Sequence, residues 1–384
     1  MSMCEERSGA PIVSVVIPTY AMERWEELCD VISTVREQTV PVAGIVVVVD
    51  HNAELLARAR RELANVIVVA NKGSRGASGA RNAGAAVAKG EVVAFIDDDM
   101  LVHATWLETL LSHFSMENVV GVGGRSQPVW PTTRPRWLAP ELDWAVGVSY
   151  RGMPVVSEPV RNVWSGNMAI RREIYDIIGG FRNGFGKIGH RANPEDTDLC
   201  LRATAASSGG TWIYEPAAVA SHRIPQEYTT LRFILARCFT QGKGKANLAT
   251  MNGVGRSIST EKWYVRRVLP YGIMRGLRES VHGDTFGICR SLVIAACLFM
   301  ALLGFALDRA TAMLGISNVN RNIKASCGEL MQVPKRWKGS SREQILQVPP
   351  RAPTLFTADD STDLQPSAVQ AELERVHGYR NGSI

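Results

Sequence analysis

Four short β-branched runs constrain this chain more than any other feature. Ile12 to Ile17 ends at Pro18-Thr19, Ile45 to Val49 ends at Asp50, Val66 to Val69 stands alone, and Val92 to Ile96 ends at Asp97-Asp98-Asp99. Near-continuous apolar runs of this length suit strands buried on both faces, as in a parallel sheet. Between the first two, Trp25, Leu28, Val31, Ile32 and Val35 recur at helical spacing, and Pro41 cannot continue that helix. The Gly- and Ala-rich stretch from Gly73 to Gly90 reads as a loop and a closely packed helix. Strands alternating with helices predict a doubly wound α/β domain that binds ligands at the carboxyl ends of its strands.

The second half is less regular. Gln127 to Gly147 is rich in Pro and Trp and marks a change of subregion. After it come an apolar run from Val163 to Ile170, a Gly-rich loop from Gly179 to Gly189, a predicted helix from Asp196 to Ala206 and a predicted strand from Trp212 to His222. Residues 228–280 read as mainly helical, and Ser291 to Leu307 is seventeen residues without a charge. The expected organisation is 11–125 and 126–225 as two halves of one α/β domain, then a helical region at 226–315 with an apolar helix at 288–308. A loosely ordered polar tail is expected at 316–384.

Composition excludes several classes. With 384 residues, 46% hydrophobic and 21% charged, the chain buries a large core and is not disordered as a whole. Seven scattered cysteines without paired spacing argue against a disulfide framework or a zinc site and suit a reducing compartment. The polar start MSMCEERSGA reads as no secretory signal. From Arg223 to Arg290 there are twelve Lys/Arg against four Asp/Glu, a surplus of eight in a chain of net charge +6. This basic stretch abuts the apolar run, which points to an anionic membrane surface and not to nucleic acid.

The chemistry-bearing residues sit where the sheet would present them. In extended backbone residues i and i+2 point the same way, so Asp97 and Asp99 are expected to share one face, with Asp98 on the other. Neighbouring carboxylates repel unless a cation joins them, and hard oxygen ligands favour Mg²⁺ or Mn²⁺. A capped polar turn would use the same residues, and which pair holds the metal is open. Asp50 would accept hydrogen bonds from a base or ribose, or act as a turn residue. Pro18, Thr19 and Tyr20 stand where a nucleobase would lie. Arg81, in Gly79-Ala80-Arg81-Asn82, opens a helix fit to receive phosphate, although small residues there also permit close packing. Glu195, Asp196 and Asp198 begin a helix, where acids serve as caps or, at one position, as a general base. His222 after a strand is a structural histidine or a further metal ligand.

In order, VSVVIPTY, VVVVD, GASGARNAGAAVAKGEVVAFIDDDM, SGNMAIRREIYDIIGGF and PEDTDLCLR resemble the family 2 glycosyltransferases, from about Val13 to His222. The resemblance implies a GT-A fold, a mixed α/β sheet with flanking helices, a UDP- or GDP-sugar donor, a divalent cation (Mn²⁺ or Mg²⁺) and inversion. It places Pro18, Thr19, Tyr20, Asp50, Arg81, Asp97 and Asp98 toward the donor. Asp97, Asp99 and His222 face the metal, Asp196 with Glu195 forms the catalytic acid pair, and Trp164, Gly166 and Asn167 lie at the sugar and acceptor pocket. PVWPTTRPRWLAPELDWAVGVSYRG and RCFTQGKGKA further resemble the dolichyl-phosphate-linked glucuronosyltransferase subgroup, implying a polyprenyl-linked acceptor at the cytoplasmic face of the membrane. The Q-x-x-R-W motif of processive synthases is absent, which favours single transfer.

As a helix, Ser291 to Leu307 spans roughly 25 Å, short of the ~30 Å bilayer core. Spanning with Arg290 snorkelling, lying in the membrane plane, and packing as a core helix all remain open. Lys243 and Lys245 read as phosphate contacts or as solvated lysines.

Overall fold

The computed structural model describes residues 11–188, 191–253 and 258–313. The tail expected from residue 316, and Gly189 at the end of the Gly-rich loop, lie outside them.

The first half follows the sequence closely. β1 (Val13–Thr19), α1 (Trp25–Arg36), β2 (Gly44–Asp50), α2 (Ala53–Glu62), β3 (Ile67–Asn71), α3 (Ala77–Val87) and β4 (Val92–Ile96) alternate along the chain. β2 pairs in parallel with β1 and β3, and β1 pairs in parallel with β4, so every residue of β4 is buried. Helix α2 is absent from the sequence-based reading. Its polar run AELLARARRE buries only Leu55 and Ala59, and Asn52 caps it by accepting from the Leu55 amide at 3.0 Å.

Beyond β4 the chain adds β5 (Met100–Val102), α4 (Trp106–Leu111), β6 (Val119–Val129), β7 (Glu158–Val160), β8 (Asn167–Arg171), α5 (Arg172–Ile177), β9 (Gly186–Ile188), β10 (Arg191–Asn193), α6 (Glu195–Ala206) and β11 (Thr211–Arg223). The main sheet runs β3-β2-β1-β4-β8-β6-β11-β5, with β7 also on β11. β8 is antiparallel to both β4 and β6, while β11 is parallel to β6. The long β11 shifts register between Glu215 and Val219, pairing with β7 before the shift and with β5 after it. That bulge aims its far end, and His222, back toward the end of β4. This is the mixed α/β sheet expected from the sequence.

Two boundaries differ from the sequence reading. The run from Val163 becomes a strand only at Asn167, because Trp164 to Gly166 turns beneath the end of β4. Within the irregular Pro/Trp stretch, β6 reaches Val129 and a 3-10 turn covers Pro140–Val146.

The C-terminal region comprises α7 (Leu231–Asn252), α8 (Ser259–Trp263), a π-helical turn over Tyr264–Val268, α9 (Leu269–Val281) and α10 (Gly287–Met313). Segments on both sides of residue 226 share one core, in which Leu138, Leu142 and Val146 meet Ile234, Cys238, Leu269 and Ile294. Glu141, fully buried, accepts two hydrogen bonds from Arg275 (2.9 and 3.2 Å), and its carbonyl accepts from the Tyr264 hydroxyl at 2.7 Å. α10 lies along α7 at backbone contact. A Cβ on Gly242 would come 2.0 Å from the Ala301 carbonyl, and one on Gly304 would come 2.1 Å from that of Phe239.

Candidate functional site

The three aspartates do not continue the strand. β4 stops at Ile96 and Asp98-Asp99 lie in a turn, so Asp97 and Asp99 do not follow the alternation of extended backbone. Arg24 instead gathers Asp98 and Asp99, its Nη1 lying 2.9 Å from both Asp98 Oδ1 and Asp99 Oδ2. Burial, then the charge of Asp99, pushes the Asp98 carboxyl up to about 6. At Asp99 burial acts in the same direction, but the hydrogen bond and charge of His222, with Arg24, hold the carboxyl below its usual range. Arg24 lies in a single 3-10 turn before α1, and no sequence pattern singles it out.

His222, at the end of β11, places Nε2 3.4 Å from Asp99 Oδ2, while its buried Nδ1 has no hydrogen-bond partner. Two atoms that each coordinate an octahedral cation at about 2.1 Å lie about 3 Å apart when adjacent, so this spacing fits one shared ion. Among the described residues no group of three His, Cys, Asp or Glu could hold a metal. A cation here would therefore take its remaining ligands from water and substrate oxygens, as Mg²⁺ and Mn²⁺ do.

Asp97 faces the other way. Its Oδ1 accepts from Arg81 Nη2 at 2.6 Å, and its side chain is 39% exposed. Gly166 makes room for it, since a Cβ there would lie 2.4 Å from Asp97 Oδ2. Arg81, buried on α3 against the Phe181 ring, also holds its Nη1 3.5 Å from Glu195 Oε1. One guanidinium thus bridges the aspartate turn to the first residue of α6. Glu195 is pushed up to about 7, chiefly by burial and then by the charge of Asp196, with Arg81 opposing. Asp196 accepts from the Thr197 amide at 2.6 Å and lines a cavity with Trp164 and Tyr150.

Other residues named from the sequence take quieter places. Both Asp50 oxygens are engaged, by Asn71 Nδ2 (2.5 Å) and the Gly76 amide (2.9 Å), so Asp50 shapes the 71–76 loop. Thr19 is buried and Tyr20 is exposed beside Arg24. The Asn167 amide is wholly internal, accepting from Trp106 Nε1 (2.8 Å) and donating to the Arg125 carbonyl (3.1 Å). Asp198 is fully buried between Arg182 and Arg202 and serves the packing of α6.

A half-buried cluster beside Asp196 is not evident from the sequence. Arg161 donates twice to Glu261 (2.7 and 2.9 Å), Lys245 Nζ lies 2.6 Å from Glu261 Oε1, and Lys245 also donates to Thr197 Oγ1 at 3.2 Å. Burial opposes ionisation of Glu261, but Lys245 and Arg161 hold its carboxyl down at about 2. These partners lie up to 100 residues apart, so no local signal marks them. Lys243 is separate, with its ammonium over the Phe239 ring.

Residues 14–179 match the model described as "Glycosyl transferase family 2". Over 298 residues the chain is 29% identical to the glucosyl-dolichyl phosphate glucuronosyltransferase of Haloferax volcanii, covering 76% of this chain and 94% of that protein. It is 25% identical over 310 residues to glycosyltransferase AglE of the same organism, covering 77% and 94%. Among solved structures, the mannosyltransferase PcManGT from Pyrobaculum calidifontis, in complex with GDP-Man and Mn²⁺, aligns with TM-score 0.48 and 18% identity over 84% of this chain and 86% of that one. The match covers the strands that end at Asp50 and at the aspartate turn and the helix that carries Arg81, and the relatives extend it across the rest of the sheet. Over residues 14–179 the chain is similar to glycosyl transferase family 2.

Proposed function

We propose that this enzyme moves a sugar, with inversion, from a UDP- or GDP-sugar to a polyprenyl-linked acceptor at the cytoplasmic face of a membrane. The observation that carries the reading is the Arg81 bridge from Asp97 to Glu195. It sets a carboxylate turn suited to a cation and diphosphate beside the acid-lined start of α6.

Asp99 and His222 would hold Mn²⁺ or Mg²⁺, and that ion would neutralise charge growing on the leaving diphosphate. Arg81 and Asp97 orient the donor, with Pro18, Thr19 and Tyr20 at its nucleoside end and Asp98 supporting the turn. Asp196 takes the proton of the acceptor hydroxyl, with Glu195 beside it, and Trp164 and Gly166 bound the pocket where sugar and acceptor meet.

The name of the Haloferax relative supports a lipid-phosphate acceptor. α10 is long and apolar enough to cross a membrane, and only 28% of its most apolar window is buried. Its inner face is fixed to α7, which carries Arg232, Arg237, Lys243 and Lys245, so spanning would carry those charges into hydrocarbon. An in-plane position avoids that cost. The outward Leu292, Phe299 and Leu302 then meet lipid beside Met274, Leu277 and Val281 of α9, with exposed Arg266, Arg267 and Arg278 at the headgroups. Arg223, Lys245, Arg275 and Arg290 are already in ion pairs, so among the described residues the field that attracts anionic lipid comes from exposed cations such as Arg266, Arg267 and Arg278. Free cysteines and a nucleotide-sugar donor suit the cytoplasmic side.

The test is incubation of the full chain with labelled UDP- and GDP-sugars, Mn²⁺ or Mg²⁺ and a polyprenyl-phosphate-linked sugar. Labelled lipid product is expected with one donor. Absence of product with every donor, beside an active control enzyme, would overturn the reading.

A further inference from the structure

A cavity of about 420 Å³ runs from Asp196 and Thr197 to Leu298, Leu302 and Phe305 on α10. Its volume lies within the range of about 300–1,000 Å³ typical of small-ligand pockets. One end is the acid-lined start of α6, and the other reaches Leu302, which is 58% exposed on the apolar face. The middle is apolar and aromatic, with Trp144, Tyr150, Tyr264 and Leu269 on its walls.

Arg161, Lys245 and Glu261 stand beside Thr197, next to Asp196. Arg161, Lys245, Lys262 and Arg266 line the cavity against Asp196 and Glu261, two more cations than carboxylates. The Lys245 ammonium has three N–H donors, and two are used, on Glu261 and Thr197. The third has no acceptor among the described residues. Arg161 and Glu261 fix this ammonium beside Thr197, adjacent to Asp196, so an anion bound there would lie next to the acid pair.

We infer that this cavity seats a prenyl phosphate, its phosphate on Lys245 and its first isoprene units running between α7, the Tyr264–Val268 turn and α10 toward the bilayer. The inference rests on the proposed lipid acceptor and deepens it, by assigning the site and the residue that distinguishes a lipid phosphate from a lipid alcohol. A soluble acceptor would gain nothing from an apolar passage that opens onto an apolar surface. Inorganic phosphate alone would lack the tail contacts.

The test is photolabelling of the full chain in detergent, without donor, by a farnesyl phosphate bearing a diazirine on its tail. Labelled peptides are mapped, and competition is measured with unlabelled farnesyl phosphate, farnesol and inorganic phosphate. Labelling is expected on the cavity-facing residues of α10 and the Tyr264–Val268 turn. Farnesyl phosphate should compete at least ten-fold better than farnesol, and inorganic phosphate should not compete. Lys245→Ala should remove that preference while farnesol competes as before, and Lys245→Arg should restore it. Equal competition by farnesol and farnesyl phosphate in the unaltered protein would overturn the inference, whatever the variants do. So would labelling confined to the outward face of α10 at Leu292 and Phe299, which would mean membrane insertion only. Because no donor is present, labelling is independent of turnover. Transfer without cavity labelling would sink this site and leave the transferase reading standing, and cavity labelling without transfer would do the reverse.

Discussion

The two sides of the proposed reaction are built differently. On the donor side, Thr19, Asp50 and Asp97 to Asp99 stand at the ends of adjacent parallel strands, and a rigid sheet sets their places. On the acceptor side, position depends on pairs remote in sequence, such as Glu141 with Arg275, Arg161 with Glu261 and Trp144 with Tyr264, 100 to 134 residues apart. A sheet presents one geometry for any substituent at its strand ends, so it suits a constant ligand such as a nucleotide diphosphate. Side-chain pairs across loops and helices can be exchanged one at a time, so that side can be altered for a new acceptor without disturbing the donor site.

The comparison can be broken by variants on each side. The largest effect is expected from Asp196→Asn, which should lower kcat by about 10³-fold, within the range for a lost general base, while donor affinity by calorimetry stays unchanged. Normal transfer by this variant would remove the base assignment. Next, Glu141→Ala should leave Arg275 without its main buried partner and destabilise the protein by about 3 kcal/mol, read from the urea midpoint. A shift below about 1 kcal/mol would show that the C-terminal helices are held by apolar contacts alone. On the donor side, His222→Ala should raise the Mn²⁺ concentration for half-maximal activity at least ten-fold without moving the melting temperature of the metal-free protein much. An unchanged metal requirement would take His222 out of the metal site.

The smallest effect is a pH slope. Burial and the charge of Asp196 raise the folded-state Glu195 carboxyl to about 7, above its unfolded value near 4.3. Its contribution to stability is therefore full below about pH 4 and is lost as pH rises through about 7. The melting temperature of the ligand-free protein should fall between pH 5 and pH 8, and Glu195→Gln should flatten that fall. An unchanged slope would mean that Glu195 ionises freely.

The same contrast explains what could be read in advance. β1, β2, β4 and α1 were legible because apolar periodicity records burial locally, and the ordered motifs marked Asp50, Arg81, Asp97 to Asp99 and Glu195-Asp196. Among the partners of the aspartates, the resemblance marks His222 but nothing in the sequence marks Arg24. Alternation holds only where extended backbone continues, but the chain turns after Ile96, and Arg24 and His222, 198 residues apart in sequence, converge on Asp99. Helix α2 carries little readable period, since its outward polar surface leaves just Leu55 and Ala59 buried. Of the Arg161–Glu261–Lys245 cluster the sequence marks only Lys245, as a phosphate contact or a solvated lysine, because its partners are remote along the chain.

The most direct test of the central claim is the anomeric configuration of the first product. Transfer from an α-linked nucleotide sugar to a polyprenyl-phosphate-linked acceptor, with divalent metal present, can be followed by proton NMR of the anomeric signal before any mutarotation. The account predicts a β-linked lipid product that Asp196→Asn no longer forms. An α-linked product, or donor hydrolysis with no linkage to lipid, would contradict it.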